Sequence, residues 1–376
     1  MYFIGDEEIE ALKKLFARKK LYRYQSAYVS ECDLFEKEFS EYAVIPHALL
    51  LSSGTNALVL SLLAAGIQTG DEVLIPTYTF VATAAAVVQA GAIPVLVNID
   101  KNLSMDMTDA QKKISPKTKA LILVHMDGLV ANVIDAKTFC AEHSLIFIED
   151  VAQAIGASCG EKKLGTFGAF GCFSLNENKN ISCGEGGILV TKKRQAYEKA
   201  FCFHDGPAQF NPNKKEFFTE VSPFMGLSMR VSEIQGAIMR VQLTRLEFIL
   251  SELRKRKSVL LESLQGISEI DCITGYSIGE CASSLHLQFI DPEKGARFGK
   301  ALREAGFMFT PVTSRPAHAS WKWSHLLDKT YPVSDYLQSV DILMRTLKME
   351  IDIHLSIEDT QNSALKLRRI LTGSLS

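Results

Sequence analysis

The sequence predicts an α/β protein: a mostly parallel seven-stranded sheet covered by helices, followed by a smaller C-terminal α+β domain. Three observations predict it. At 376 residues the chain exceeds one ordinary core, so a large domain plus a smaller one is expected. Through the first two-thirds, short β-branched runs alternate with helical patterns, and the runs are apolar at successive positions. Strands apolar on both faces are strands buried on both faces, as in a parallel sheet between two helical layers. After Gly266 the pattern changes to shorter strands alternating with helices.

In chain order, strands are expected at 48–51, 72–75, 93–98, 120–125, 145–149, 170–175 and 187–191. Helical patterns fall between several of them, at 55–65, 81–90 and 136–142. The stretch 231–264, rich in Leu, Arg and Glu (LTRLEFILSELRKR), reads as one long helix or two abutting ones. Beyond it, strands at 284–289 and 348–355 alternate with helices at 294–304 and 357–371. The large domain is thus expected over 1–250 and the small one over 251–376. The Lys- and Asn-containing stretch 206–218 is the expected mobile loop. There is no internal repeat and no low-complexity linker.

Composition narrows the function classes. Hydrophobic residues make up 47% and charged residues 22%, the balance of a soluble globular protein. The formal charge is −2 with no basic block, which argues against a nucleic-acid polymer as partner but leaves room for small anions. The eight cysteines show no CxxC pair and no Cys/His ligand spacing, so they are read as reduced, buried small hydrophobes and no metal site is expected. The N-terminus (MYFIGDEEIE) carries acids where a signal peptide carries bases, and the most apolar run, 57–67, is too short to span a bilayer. A cytoplasmic location without membrane contact is expected.

Three motifs carry chemistry. SSGTNAL (52–58) follows an apolar strand and opens a helical pattern. Gly54 and Thr55 there put backbone N–H groups and a hydroxyl at a helix N-terminus, where an anion binds; an ordinary Ser/Thr cap reads the same way. IFIEDVAQAIGA (146–157) puts Asp150 at the carboxyl end of a buried strand, the edge at which open α/β sheets bind ligands. A carboxylate buried there needs a partner, and its alternative is to cap the following helix. GTFGAFGCFSLNENKNISCGEGG (165–187) carries Lys179 in a Gly- and Asn-rich loop, where a lone lysine is usually just solvated. Together they are more telling. Pyridoxal 5′-phosphate (PLP) needs donors for its phosphate, a carboxylate for its pyridine nitrogen and an amine for its aldehyde.

The chain resembles the sugar aminotransferase family called DegT/DnrJ/EryC1/StrS, within the fold-type I PLP enzymes. The resemblance begins at GDEEIEALKKLF and runs through SSGTNAL, GDEVLIPTYTFVATAAAV, GAIPVLVNID, EDVAQAIGA and the segment 165–187, with a looser echo in GLSMRVSEIQGAI. The C-terminal part matches only in pattern. The resemblance implies that Lys179 forms the Schiff base, that Asp150 pairs the ring nitrogen and that Gln153 contacts the ring hydroxyl. It implies phosphate contacts from Gly54, Thr55 and Ser174, and an aromatic face from Phe80, which would exclude water from one side of the cofactor. From sequence alone Phe80 also fits a core position on a buried helix.

The chain departs from the family pattern at several positions. Asn176 and Asn178 stand where the family has His and Thr before the lysine, and Ala169 stands for an acid. Ser228 takes the place of an Asn that reaches across the dimer to the phosphate, so a homodimer with shared sites is implied with a shorter donor. His125, His204, Arg230, Arg315 and His318 (the last two in RPAHASWKW, 315–323) are lesser candidates for the site. The implied reaction is transfer of an amino group from an amino acid, glutamate or glutamine, to a keto sugar that is nucleotide-linked, with PLP cycling through pyridoxamine 5′-phosphate. A dehydratase branch of the family replaces the lysine with histidine, so Lys179 favours transamination. The rivals are amination or dehydration of a cyclitol or carbocycle on the same scaffold, and a non-catalytic PLP-fold regulator.

Overall fold

The computed structural model describes residues 3–24, 29–206, 217–323 and 332–373. Nearly all of the loop expected at 206–218 lies outside the described residues. Seven strands form the main sheet: β1 (His47–Leu51), β2 (Glu72–Pro76), β3 (Ile93–Val97), β4 (Thr118–Val124), β5 (Ile146–Asp150), β6 (Phe170–Ser174) and β7 (Gly187–Thr191). Their order is β1-β7-β6-β5-β4-β2-β3. Only β7 runs against the rest, pairing antiparallel with β1 and β6. The other neighbours pair in parallel.

Side chains alternate between two cores, which is why the strands read as unbroken apolar runs. Ala48 and Leu50 of β1, Leu121 and Leu123 of β4, and Ile188 and Val190 of β7 face one core. That core includes Phe35 and Phe39 of α2 (Glu31–Ala43) and Phe139 of α6 (Val133–Glu142). Leu49, Leu51, Ile122, Val124 and Leu189 face the other, with α3 (Gly54–Ala65), α4 (Ala82–Gln89) and α7 (Arg194–His204). Helix α3 is apolar nearly all round because it is packed between the sheet and other helices. Ser53 caps it by accepting from Asn56 N–H at 3.0 Å, and Gly66 ends it in a left-handed conformation, φ 84°.

The long helix exists as one piece, α8 (Glu233–Leu264), and passes residue 250 unbroken. It packs on α1 (Asp6–Ala17), on α2 and on α11 (Ile357–Leu371). Beyond it lies an antiparallel sheet of β8 (Ile270–Ile273), β9 (Ser284–Phe289), β10 (Thr310–Pro311) and β11 (Thr346–Glu350), in the order β8-β9-β11-β10. The expected strand at 348–355 is therefore displaced toward the N-terminus. Its partner β9 begins at Ser284, opposite Glu350, so the ladder ends there. Asp352 then accepts from His354 N–H at 2.9 Å and turns the chain, so the alternation of Ile351, Ile353 and Leu355 belongs to no strand. No described helix is long and apolar enough to cross a membrane.

One buried acid ties two strands together. Glu149 of β5 is fully buried and accepts from the N–H groups of Gly165 (2.8 Å), Phe167 (2.7 Å) and Gly168 (2.8 Å), the turn that leads into β6. His125 Nε2 lies 3.5 Å from the same carboxylate. A buried donor left without an acceptor costs about 1–3 kcal/mol. Glu149→Ala is therefore expected to lower stability by about 3 kcal/mol or more, read as a fall in the urea midpoint; an unchanged midpoint would refute this role.

Candidate active site

The carboxyl ends of the parallel strands gather the chemistry at one edge of the main sheet, as open α/β sheets do. β1 leads through Ser53 into the N-terminus of α3; β2 leads to Thr79 and Phe80; β5 ends at Asp150 and β6 at Ser174. These residues line a cavity of about 430 Å³, together with Gly54, Thr55, Thr83, Gln153 and Lys179. The C-terminal sheet and the turns beside it add Arg315, His318, Lys348 and Glu350 to the wall.

At one part of the cavity the α3 N-terminus meets Ser174. A Cβ on Gly54 would lie 2.8 Å from Ser174 Cβ, so only glycine lets the helix approach the end of β6 this closely. The first N–H groups of a helix have no intrahelical acceptor, and together with the hydroxyls of Thr55 and Ser174 they form a donor set suited to a phosphate. Gly187 of β7 is likewise pressed against the Ser53 backbone.

At another part stands Asp150, 5% exposed. Its Oδ1 accepts from Ala152 N–H (3.1 Å) and its Oδ2 from Thr83 Oγ1 (2.9 Å). Thr83 in turn bonds Thr79 Oγ1 at 2.7 Å. Burial pushes the Asp150 carboxyl above its ordinary range, while those two donors and the Lys179 ammonium oppose the rise. A protonated ring nitrogen would supply the cationic partner that such an acid calls for. Gln153 offers its side chain to the cavity while its Oε1 accepts from Asp127 N–H at 2.9 Å.

Lys179 sits in the loop between β6 and β7. Its backbone N–H is held by Asn176 O at 3.1 Å, and Asn176 Nδ2 donates to Glu185 Oε1 at 3.1 Å across the loop. Asn178 N–H donates to Asn176 Oδ1 at 3.2 Å. The two asparagines that depart from the family pattern thus build the loop that carries the lysine. Burial pushes the Lys179 ammonium below its ordinary range, with Asp150 and Asp127 opposing. A lysine so placed is a better nucleophile and base near neutrality.

Phe80 is 46% exposed, lies just before α4 rather than within it, and faces the cavity. Its ring meets His318 edge to face, 5.8 Å between centroids at 80°. Burial holds the His318 imidazole down to about 4, so it is neutral at pH 7. With an anion cradle, a partnered acid, an inward lysine and an aromatic face around one cavity, the donor set fits PLP.

Other sequence candidates lie elsewhere. Ser228 is exposed, pairs with Asp205 in an isolated bridge and does not line the cavity. Arg230 is salt-bridged to Asp205 and lies over the Tyr22 ring at 5.6 Å. His125 is a core residue: Nδ1 accepts from Ala131 N–H at 3.1 Å, and the ring lies beside Glu149. His204 is buried, with Tyr24 Oη 2.7 Å from its Nε2. Thr83, Asp127 and Lys348 were not anticipated: Thr83 lies within the segment GDEVLIPTYTFVATAAAV but nothing there marks its role, Asp127 and Lys348 lie in no motif, and the fold brings them to one cavity from distant segments.

Comparison with known proteins extends these observations over the whole chain. It is 31% identical over 342 residues to a UDP-N-acetyl-3-dehydro-alpha-D-glucosamine 3-aminotransferase of Acidithiobacillus ferrooxidans, covering 90% of this chain and 88% of that one. It is 37% identical over 238 residues to an L-glutamine:2-deoxy-scyllo-inosose aminotransferase of Streptomyces kanamyceticus, covering 61% of this chain. Some relatives are matched over less than two-thirds of their own length, 63% and 55% in two cases. The crystal structure of 3-amino-5-hydroxybenzoic acid synthase superposes with a TM-score of 0.85 at 22% identity, covering 100% of this chain and 98% of that one, which shows a shared fold. Residues 4–368 match the sequence model of one family, and they include the strand ends, the α3 N-terminus and the lysine loop that build the cavity. The chain belongs to the DegT/DnrJ/EryC1/StrS aminotransferase family.

Proposed function

We propose that the protein is a PLP-dependent aminotransferase that transfers an amino group from glutamate or glutamine to a keto sugar carried on a nucleotide, acting as a cytoplasmic homodimer. The observation that carries this reading is the single cavity shared by Lys179, Asp150 and the Gly54–Ser174 contact. Full-length similarity to an enzyme named for a nucleotide-sugar ketone supports the acceptor class. A cyclitol ketone is the second reading, supported by similarity to the inosose aminotransferase, whose name also specifies glutamine as donor.

In this reading Gly54, Thr55 and Ser174 hold the phosphate, Gln153 holds the ring hydroxyl and Phe80 covers one face. When bound, PLP supplies an electron sink for the negative charge that forms at the amine-bearing carbon. Asp150, kept in place by Thr83 and Ala152 N–H, holds a proton on the ring nitrogen. Lys179 Nζ would take the proton from the donor α-carbon and return one to the former aldehyde carbon of the cofactor, on the far side of the amine nitrogen. A positioned acid–base group of this kind contributes roughly 10²–10⁴-fold. Phe80 and His318 exclude water above the site. Ser228 lies outside its own chain's cavity, and the reading assigns it to the site of the second subunit.

Lys179→Ala is expected to abolish turnover and the visible absorbance that appears on adding PLP; retained turnover would sink the assignment. Asp150→Asn should still bind PLP but transaminate at least about 100-fold more slowly, and a near-normal rate would show that another group protonates the ring. Thr83→Val, which removes only the hydroxyl that orients Asp150, should slow the reaction roughly tenfold through loss of one hydrogen bond to a charged group. To separate the acceptors, enzyme in its pyridoxamine form is offered nucleotide-linked keto sugars and keto-inositols. Recovery of the visible absorbance with the sugars alone is the expected result.

A further inference from the structure

The cavity wall built by the C-terminal sheet carries a buried ionic cluster that the reaction outlined above does not use. At its centre is Asp127, in the turn after β4. Its φ is 54°, a left-handed conformation that aspartate tolerates better than most residues, and Gly128 follows at φ 81°. A Cβ on Gly128 would collide with Ser283 Oγ, so the turn is pressed against the C-terminal sheet. The turn directs the Asp127 N–H at Gln153 and its carboxylate at three donors. Tyr78 Oη donates to Oδ2 at 2.6 Å, His286 Nε2 lies 3.2 Å from the same oxygen, and Lys348 Nζ donates to Oδ1 at 2.6 Å. Tyr78 belongs to the segment carrying Phe80, and His286 and Lys348 are direct cross-strand partners on β9 and β11. Asp127 therefore joins the segment after β2, the ligand-facing Gln153 and the C-terminal sheet through one carboxylate and one N–H.

We propose that Asp127 is a positioning residue for the reaction at Lys179: it fixes Gln153 from one side and Lys348 from the other, and balances the Lys348 charge in the cavity wall. This rests on the reading of Lys179 as the reacting amine. Burying an acid with so many partners is worthwhile only where each is satisfied, and breaking such a pair leaves the other charge uncompensated. Burial alone would raise the Asp127 carboxyl, but Lys348 and His286 overcome it and hold it well below the usual carboxylate range. Asp127 and Lys348 act on Lys179 with opposite sign: the carboxylate favours its ammonium form, and the Lys348 ammonium disfavours it.

Tyr78, His286 and His318, which stand beside the pair, each keep one protonation state through neutral pH. Tyr78 is pushed well above its ordinary range by burial and by Asp127. Burial lowers both His286 and His318, so both are neutral. Asp150 from β5, Glu350 from β11, Arg315 from the turns beside the C-terminal sheet, and Glu177 and Glu185 from the lysine loop complete the charged surroundings. The titration of Lys179 is thus readable without a competing transition from the two histidines.

The test measures the pH midpoint of Lys179 acylation in cofactor-free protein, using competitive labelling with acetic anhydride and mass spectrometry. Asp127→Asn should lower the midpoint by roughly half to one pH unit, because Lys348 is left unbalanced. Lys348→Met should raise it by a similar amount. The double variant should return close to the starting value. Shifts of the same sign in the two single variants, or a double variant that does not cancel them, would overturn the proposal. Should Asp127→Asn fail to fold, as judged by circular dichroism, Lys348→Met and the double variant decide, and a midpoint that Lys348→Met leaves unmoved is equally fatal. These labelling outcomes are independent of turnover in Lys179→Ala, so this proposal and the functional reading fail separately.

Discussion

Two neighbouring carboxylates on β5 point to opposite sides of a buried strand, and the architecture of the site follows from how each is satisfied. Glu149 takes three backbone N–H groups from the turn at 165–168. That obligation fixes the entry of β6, and with it the height at which Ser174 and the following loop emerge above the sheet. Asp150 takes one N–H and one hydroxyl, leaving capacity for a further donor. One acid is thus spent entirely inside the protein, while its neighbour is held ready for a ligand. Alternation along a strand is enough to separate the two roles.

The same logic explains which parts of the molecule could be read from its sequence. The strands of the main sheet were legible because each is apolar toward both cores, a signal confined to a few consecutive residues. Helix α8 was legible from its length and composition. The strand expected at 348–355 was misplaced because its ends are set by a partner more than fifty residues earlier; Ile351 and Ile353 are buried without a ladder. Helices α1, α2 and α7 were not anticipated, since their apolar faces are defined by what they pack on; α1 and α2 do carry capping at Gly5–Glu8 and at Ser30.

For the site, the distinction runs between residues in motifs and residues in networks. Gly54, Asp150 and Lys179 sit in short segments whose residue types suggest their chemistry, and Gln153 enters through the family resemblance. Thr83, Asp127, His286 and Lys348 carry no such mark. A threonine on an alanine-rich helix and a lysine in a C-terminal strand become informative only when the fold sets them against an acid. Phe80 illustrates the middle case: its position was suggested, but its exposure and its contact with His318 depend on a turn from the far end of the chain.

Helix α8 has a consequence for biosynthesis. Its residues satisfy segments made much earlier: Arg245 and Gln242 bond Glu8, and Glu233 bonds Ser30 and the N–H of Glu31. While the chain emerges from the ribosome, α1 and α2 must wait more than two hundred residues for this partner. Phe35 and Phe39 can pack earlier, on β1 and on Phe173 of β6, but the polar ties of Glu8, Ser30 and the Glu31 N–H stay open through that interval. The hydrogen bonding of the N-terminal helices is therefore completed by the arrival of a single helix, after the last strand of the main sheet has been made.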